Sequence, residues 1–158
     1  MIKKAKISDC RRYRWWLSRV WNPELPLLYI IMLNPSTATH EVDDATIRVC
    51  IVRAVRNGFG GIVVLNLFAY RATSPDDMKA APDPVGHACN SYITTIIPRD
   101  GKVLCAWGNH GSFNNRDQFV KALLRGRKLY HLGLTKQGQP KHPLRIPYSQ
   151  KMIRWRND

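Results

Sequence analysis

The sequence has few acidic residues: among its 158 residues, 11 Asp and Glu stand against 25 Lys and Arg, and the formal net charge is +14. Such an excess does not select a fold, but it favours polyanionic partners, above all nucleic acid. We therefore expect DNA, double- or single-stranded, as the partner. We expect the protein itself to be a monomer.

Long hydrophobic runs are also missing. No stretch reaches the roughly 18 apolar residues that a membrane-spanning helix needs. The basic residues 1–6 are followed by polar residues and not by the apolar core of a signal peptide. We therefore expect a cytoplasmic protein that has no membrane partner.

Cysteine is scarce, and the four cysteines include no Cys-x-x-Cys pair. They are Cys10, Cys50, Cys89 and Cys105. Their wide spacing argues against a zinc ribbon and against a Cys-ligated iron–sulfur cluster. We expect buried free thiols, no metal site and no cofactor.

What the sequence does contain is a series of short apolar segments of strand length, separated by helical patterns. The segments are residues 27–33, 62–68, 102–107 and 128–132. Residues 13–21 alternate apolar and polar side chains, which predicts a half-buried strand that pairs antiparallel with 27–33 as a hairpin. This order predicts an α/β fold: one domain over residues 1–158, with three layers (α/β/α), a mainly parallel central sheet and an antiparallel N-terminal strand.

Polar residues follow each predicted buried strand at the point where it ends. They are Asn34-Pro35-Ser36, Asn66 with Tyr70 and Arg71, Gly108-Asn109-His110, and Lys141-His142-Pro143-Leu144. Ligands of open α/β sheets bind at the carboxyl ends of the strands. We therefore expect these four groups to converge on one crevice.

In order and spacing, these motifs resemble the uracil-DNA glycosylase superfamily. Residues 32–36 (Met-Leu-Asn-Pro-Ser) resemble its Gly-hydrophobic-Asn-Pro-Gly motif, and residues 64–71 resemble its strand with a base-reading Asn followed by Lys-Cys-Arg-Pro. Residues 103–108 resemble its hydrophobic strand ending in Leu-Gly, and residues 141–144 resemble its closing His-Pro-Ser loop. The resemblance covers most of the chain between residues 27 and 148.

The chain is more closely similar to a small bacterial and phage family of unassigned function. That family is typified by Leu-Asn-Pro-Ser-Thr-Ala, found here at 33–38, and by Asn-Leu-Phe-Ala-Tyr-Arg-Ala-Thr, found at 66–73. The superfamily resemblance implies a uracil-DNA glycosylase-like fold and a monofunctional DNA glycosylase, which flips a nucleotide and cleaves the bond between base and sugar to leave an abasic site.

The resemblance also implies roles for individual residues. Asn34 would position the attacking water, and His142 would donate a hydrogen bond to the departing base. Asn66 would read the base edge, with Pro35, Ser36, Tyr70 and Arg71 as further substrate-binding residues. Leu144 and Arg145 follow His142 where the superfamily inserts a wedge into the base stack. Independently of the resemblance, the excess of basic residues makes Lys136, Lys141, Arg145 and Arg154 candidates for contact with DNA phosphates.

The sequence departs from the superfamily pattern at two points. Leu144 replaces the Ser of His-Pro-Ser, and residues 36–40 lack the aromatic side chain that usually stacks on uracil. We therefore expect a base larger than uracil, a damaged or modified pyrimidine such as glucosylated hydroxymethylcytosine in phage DNA. Asp43 and Asp44 are the nearest carboxylates, and they are candidates to activate or hold the water. The alternative role for them is to cap a helix.

Two other functions are consistent with the same residues. One is a non-catalytic nucleic-acid-binding module on the same fold. The other is a metal-dependent nucleotide or phosphodiester hydrolase that uses Asp43, Asp44 and His110. The excised base, the strand preference and the setting, DNA repair or phage defence, all stay open at this point.

Overall fold

The structure, a computed structural model, describes residues 1–156. Within that range the chain forms one seven-stranded sheet and four α-helices. The strands are β1 (Ile2–Ile7), β2 (Arg14–Val20), β3 (Leu27–Met32), β4 (Gly61–Asn66), β5 (Lys102–Cys105), β6 (Lys128–His131) and β7 (Ile153–Trp155). The helices are α1 (Ala45–Arg56), α2 (Pro75–Lys79), α3 (Cys89–Ile96) and α4 (Arg116–Leu123), and a 3₁₀ segment occupies Asn109–Asn115.

The strand order in the sheet is β1-β2-β4-β3-β5-β6-β7. The four inner strands β4, β3, β5 and β6 are parallel to one another, whereas β1–β2, β2–β4 and β6–β7 are antiparallel pairs. The α/β class is therefore confirmed, but the sheet is mixed. The prediction of a mainly parallel sheet is not confirmed.

The N-terminal part of the sheet differs from the predicted hairpin. β2 pairs with β4 and not with β3, so that β4 lies between them. The hairpin partner of β2 is β1, with Ile2 opposite Val20. β1 is mostly exposed, so its pairing rests on backbone hydrogen bonds and on few buried side chains.

Both faces of the inner strands are buried, each against helices. Ile30 and Met32 of β3 pack in a core with Ile47 and Cys50 of α1. Ile31 of the same strand packs on the other face, in a core that also contains residues of α3 and α4. Alternate side chains of one strand thus bury on opposite faces, and helices cover both sides of the sheet.

Side chains cap the starts of two helices, and Asp44 was one of the two candidates for the first of them. The Asp44 side chain accepts a hydrogen bond from the backbone N–H of Ile47 at the start of α1, and Ser74 caps α2 with Pro75 in its first turn. The longest of the described helices has 12 residues, and none of them is long and apolar enough to cross a membrane.

The thiols differ from the prediction in one case. Cys50, Cys89 and Cys105 are buried and free, as expected, but Cys10 is exposed. It lies in the turn between β1 and β2.

Candidate functional site

A pocket of about 500 Å³ opens where the inner strands end at their carboxyl termini. This is the position at which ligands bind in open α/β sheets, and the volume is typical of small-molecule sites. The predicted residues that line it are Asn34, Pro35, Ser36, Asn66, Gly108, His110, Asp44, His142 and Leu144. All four predicted strand-end groups thus contribute to one pocket.

Asn34 lies just beyond β3 with its amide fixed in one orientation. Its Nδ2 donates to the backbone oxygens of Ala72 (2.9 Å) and Pro35 (3.1 Å). Both amide hydrogens are therefore occupied, and the carbonyl oxygen is the atom left to accept a hydrogen bond. An oriented acceptor of this kind can hold a water molecule or an N–H group of a ligand.

Asn66, the last residue of β4, is buried, with 2% of its surface exposed. Its Nδ2 has no hydrogen-bond partner among residues 1–156. A buried donor without a partner costs about 1–3 kcal/mol. Because the side chain lines the pocket, an acceptor atom of a bound ligand is suited to satisfy it.

His142 lies at the mouth of the pocket on the loop after β6. Its Nδ1 accepts a hydrogen bond of 3.1 Å from the backbone N–H of Leu144. Although the side chain is exposed, desolvation of the ring at the pocket lowers its pKa below the ordinary value, and the nearby charge of Asp44 opposes the shift. The neutral ring with its hydrogen on Nε2 is therefore the favoured form at neutral pH.

The two adjacent aspartates have different environments. Asp44 lines the pocket while it caps α1. Asp43 does not line it, because its carboxylate is bound by the fully buried Arg19 at 2.7 Å and by Lys3 at 3.6 Å. Asp43 thus forms an ion pair between β2 and the segment before α1, and the predicted catalytic pair of aspartates is divided between the pocket and this ion pair.

Arg14, the first residue of β2, is a charged residue of the pocket that was not among the predicted site residues. It is 3% exposed and lines the pocket, whereas Arg11 and Arg12 are exposed. Burial lowers its pKa to about 10, with Asp44 acting in the opposite direction, so the side chain stays charged at neutral pH. The alternating pattern of residues 13–21 predicts a strand that includes Arg14, but it gives no sign that this polar side chain is buried.

Tyr70 and Arg71 lie outside the central pocket, in a groove beside it. Arg11 and Arg12 line the same groove, and Ser36, Ala72 and Thr73 line both the groove and the pocket. The groove thus brings three arginines to one edge of the pocket. Such an array can contact phosphate groups.

The predicted DNA-contacting residues do not form one cluster. Leu144 lines the pocket at its mouth, with 39% of its surface exposed. Lys136, Lys141 and Arg145 are exposed loop residues that do not line the pocket. Arg154 lies on the edge strand β7, where it donates to the backbone oxygen of Leu129 at 3.1 Å.

A buried arginine on α1 fixes the segment that follows His142. Arg53 donates to the backbone oxygens of Gln150 (2.8 Å), Ile146 (3.0 Å) and Pro147 (3.2 Å). It has 1% of its surface exposed. Arg53 therefore connects α1, whose first turn lines the pocket, to the loop that carries the histidine.

The residues of the metal-hydrolase alternative have other partners. Asp43 pairs with Arg19, Asp44 caps α1, and Nδ1 of His110 lies 2.9 Å from Nζ of Lys79. Over residues 1–156, no three His, Cys, Asp or Glu side chains are grouped in a way that could hold a metal ion.

Comparison with known proteins identifies a family but no function. Residues 14–144 match the model of the family described as "Protein of unknown function (DUF1643)". Neither the curated proteins nor the solved structures give a match. Nothing in these comparisons links the chain to the uracil-DNA glycosylase superfamily. The matched range contains β2 to β6 and the whole pocket, and the chain belongs to the DUF1643 family.

Proposed function

We propose that this protein is a DNA glycosylase that hydrolyses the N-glycosidic bond of a damaged or modified pyrimidine. The observation that carries the proposal is the arrangement of Asn34, Asn66 and His142 around one pocket at the carboxyl ends of parallel strands. The three side chains offer an oriented acceptor, a buried free donor and a neutral imidazole. These are the groups that such a hydrolysis uses.

In the reaction, the bond between C1′ of the sugar and the base nitrogen breaks, and its electron pair leaves with the base. The oxygen of a water molecule forms the new bond to C1′, and the proton that this water loses passes to a carboxylate or to solvent. Asn34 holds the water through its free carbonyl oxygen. Asp44, the carboxylate of the pocket, is suited to take the proton.

The departing base gains negative charge on its oxygen atoms. Nε2–H of His142 donates to this charge, because Nδ1 is already an acceptor. One preorganised donor of this kind contributes roughly 3 kcal/mol to the stability of a transition state. Asn66 meets the base edge through Nδ2, which lacks a partner in the described part of the chain.

The size of the pocket supports a substituted base. Its volume of about 500 Å³ exceeds what an unsubstituted pyrimidine ring needs. No aromatic side chain follows Pro35 within residues 36–40 to form a close stacking wall. We therefore propose a bulky 5-substituted pyrimidine, with glucosylated hydroxymethylcytosine as the first substrate to test.

The charge of the surface supports DNA as the carrier of that base. The net charge is +14, and the groove of Arg11, Arg12 and Arg71 adjoins the pocket. A flipped nucleotide in the pocket keeps its flanking phosphates at the rim, where these arginines lie. Binding should therefore weaken steeply with salt.

The test is incubation of the protein with DNA that contains uracil, hydroxymethylcytosine or glucosylated hydroxymethylcytosine, both with and without EDTA. We expect strand breaks only after alkali, which marks abasic sites, and we expect them on a modified substrate. Breaks that EDTA abolishes would support the metal-dependent hydrolase instead. Good release of uracil with none of the modified bases would contradict the bulky-base part of the proposal.

A further inference from the structure

The central pocket contains a buried positive charge, that of Arg14, which forms no ion pair with any carboxylate of residues 1–156; Asp44, which lines the same pocket, acts on it only as a nearby charge. Nη1 of Arg14 donates to the backbone oxygen of Ala38 at 3.1 Å, and its buried Nε has no partner. Arg19, which also lies on β2, is equally buried but binds Asp43 at 2.7 Å.

A second unsatisfied donor lines the same pocket. Nδ2 of Asn66 is buried without a partner, in a side chain with 2% of its surface exposed. Burial of two such donors is unfavourable unless a ligand pairs with them. A charged guanidinium and an amide N–H₂ in one cavity select oxygen atoms that carry negative charge.

We propose that Arg14 and Asn66 form a subsite for a negatively charged oxygen group on the molecule that the pocket binds. The proposal deepens the proposed function, on which the identity of that molecule rests. In a glycosylase, the group at this subsite is an anionic oxygen of the base, either present in the substrate or formed as the base departs. Arg14 then both selects the base and stabilises its charge.

The pair of free pyrimidines orotate and uracil tests the subsite, because they share a ring and differ by a carboxylate. We would measure both affinities by calorimetry at pH 7.5 in 0.15 M NaCl. The expected result is that orotate binds at least about tenfold more tightly than uracil, as one charge-assisted contact predicts. Equal affinities would overturn the proposal.

Variants test whether Arg14 causes the preference for orotate over uracil. Arg14→Met should remove the orotate preference, and Arg48→Met is the control with the same loss of charge, because Arg48 is on α1 and does not line the pocket. A preference that persists in Arg14→Met would overturn the proposal. If Arg14→Met does not fold, a crystal of the wild-type protein soaked in orotate decides: the carboxylate should lie within hydrogen-bond distance of Arg14 and Asn66, and any other position contradicts the subsite.

Inorganic phosphate distinguishes two sources of the anion. Displacement of orotate by phosphate assigns the subsite to a phosphate group, and failure of phosphate to compete assigns it to an anionic base. The base-release assay on DNA is independent of these titrations. If the wild-type protein releases the base but does not prefer orotate, the subsite proposal is wrong and the glycosylase proposal stands. If it prefers orotate but releases no base, the glycosylase proposal is wrong and the subsite proposal stands.

Discussion

The backbone N–H of Leu144 donates a hydrogen bond of 3.1 Å to Nδ1 of His142, two residues before it in the chain. A ring nitrogen that accepts a hydrogen bond carries no hydrogen, so the neutral ring has its hydrogen on Nε2. Protonation of His142 places a hydrogen on Nδ1 and breaks this contact. The charge of the ring is therefore coupled to the conformation of the loop at the pocket mouth.

We predict that base release falls at acidic pH through protonation of His142. Desolvation lowers the pKa of this ring below the ordinary 6.5, so the rate should be constant near neutral pH and decline only below about pH 6.5. NMR titration of the histidine and the pH dependence of the rate should give the same midpoint. An acid limb that is unchanged in His142→Gln would contradict the assignment.

The lowered pKa of His142 also makes the stability of the protein depend on pH. Because the folded state favours the neutral ring, the unfolded state binds more protons in this pH range, and the free energy of unfolding falls as the pH falls through about 6.5. The wild-type protein should therefore lose more stability than His142→Gln between pH 7.5 and pH 5.5. His131, whose pKa burial also lowers, contributes equally to both proteins and cancels in the comparison.

The adjacent aspartates Asp43 and Asp44 give two matched variants, for which we expect different losses of stability and of base release. Asp44→Asn keeps an amide oxygen that can cap α1, so stability should change by less than about 0.5 kcal/mol while base release declines. Asp43→Asn leaves the buried Arg19 without its carboxylate and should cost about 3 kcal/mol. Denaturant unfolding and the base-release rate test both. A large loss of stability in Asp44→Asn with an unchanged rate would reverse these roles.

Leu144 is suited to act as the wedge that replaces a flipped base in the stack, since it is an exposed apolar side chain at the pocket mouth. Leu144→Ala should slow base release from duplex DNA by about tenfold and from single-stranded DNA much less, because a single strand needs little unstacking. Val42→Ala, another exposed apolar residue, is the control. Equal slowing on both substrates would contradict a wedge.

Arg53 should determine the stability of the loop that follows His142. Arg53→Met removes three charge-assisted hydrogen bonds to loop carbonyls and should lower the free energy of unfolding by about 3 kcal/mol. Hydrogen exchange at residues 146–150 should accelerate. Arg48→Met, at an exposed position of the same helix, removes one exposed hydrogen bond to the backbone oxygen of Asp43 and should change both quantities much less. Equal effects of the two variants would show that Arg53 does not fix the loop.

The strands that a hydrophobic run specifies could be predicted from the sequence, and the edge strands could not. β3 and β4 are buried on both faces, so their side chains alone mark them as inner strands. The exposed residues of β1 and β7 carry no such pattern. The pairing of β2 with β4 also depends on strand order, which local sequence does not encode.

In the candidate site, too, some residues could be predicted from the sequence and others could not. Asn34, Asn66 and His142 could be placed in one pocket from the sequence, because they lie at the end of a buried strand or beyond it and the strand ends converge. Arg14 could not, because its burial depends on how β2 enters the sheet beside Asp44 and Ala38. Asp43 and Asp44 were both candidates, and the position of Asp43 outside the pocket likewise depends on its ion pair with Arg19.

The most direct test of the central claim is mass spectrometry of the free base released from modified DNA under single-turnover conditions. Wild-type protein and Asn34→Ala should be compared with Asn22→Ala, whose side chain serves only the turn before β3. We predict that the wild type and Asn22→Ala release the base at the same rate and that Asn34→Ala is about a hundredfold slower. No free base from any substrate, or release that Asn34→Ala leaves unchanged, would contradict the account.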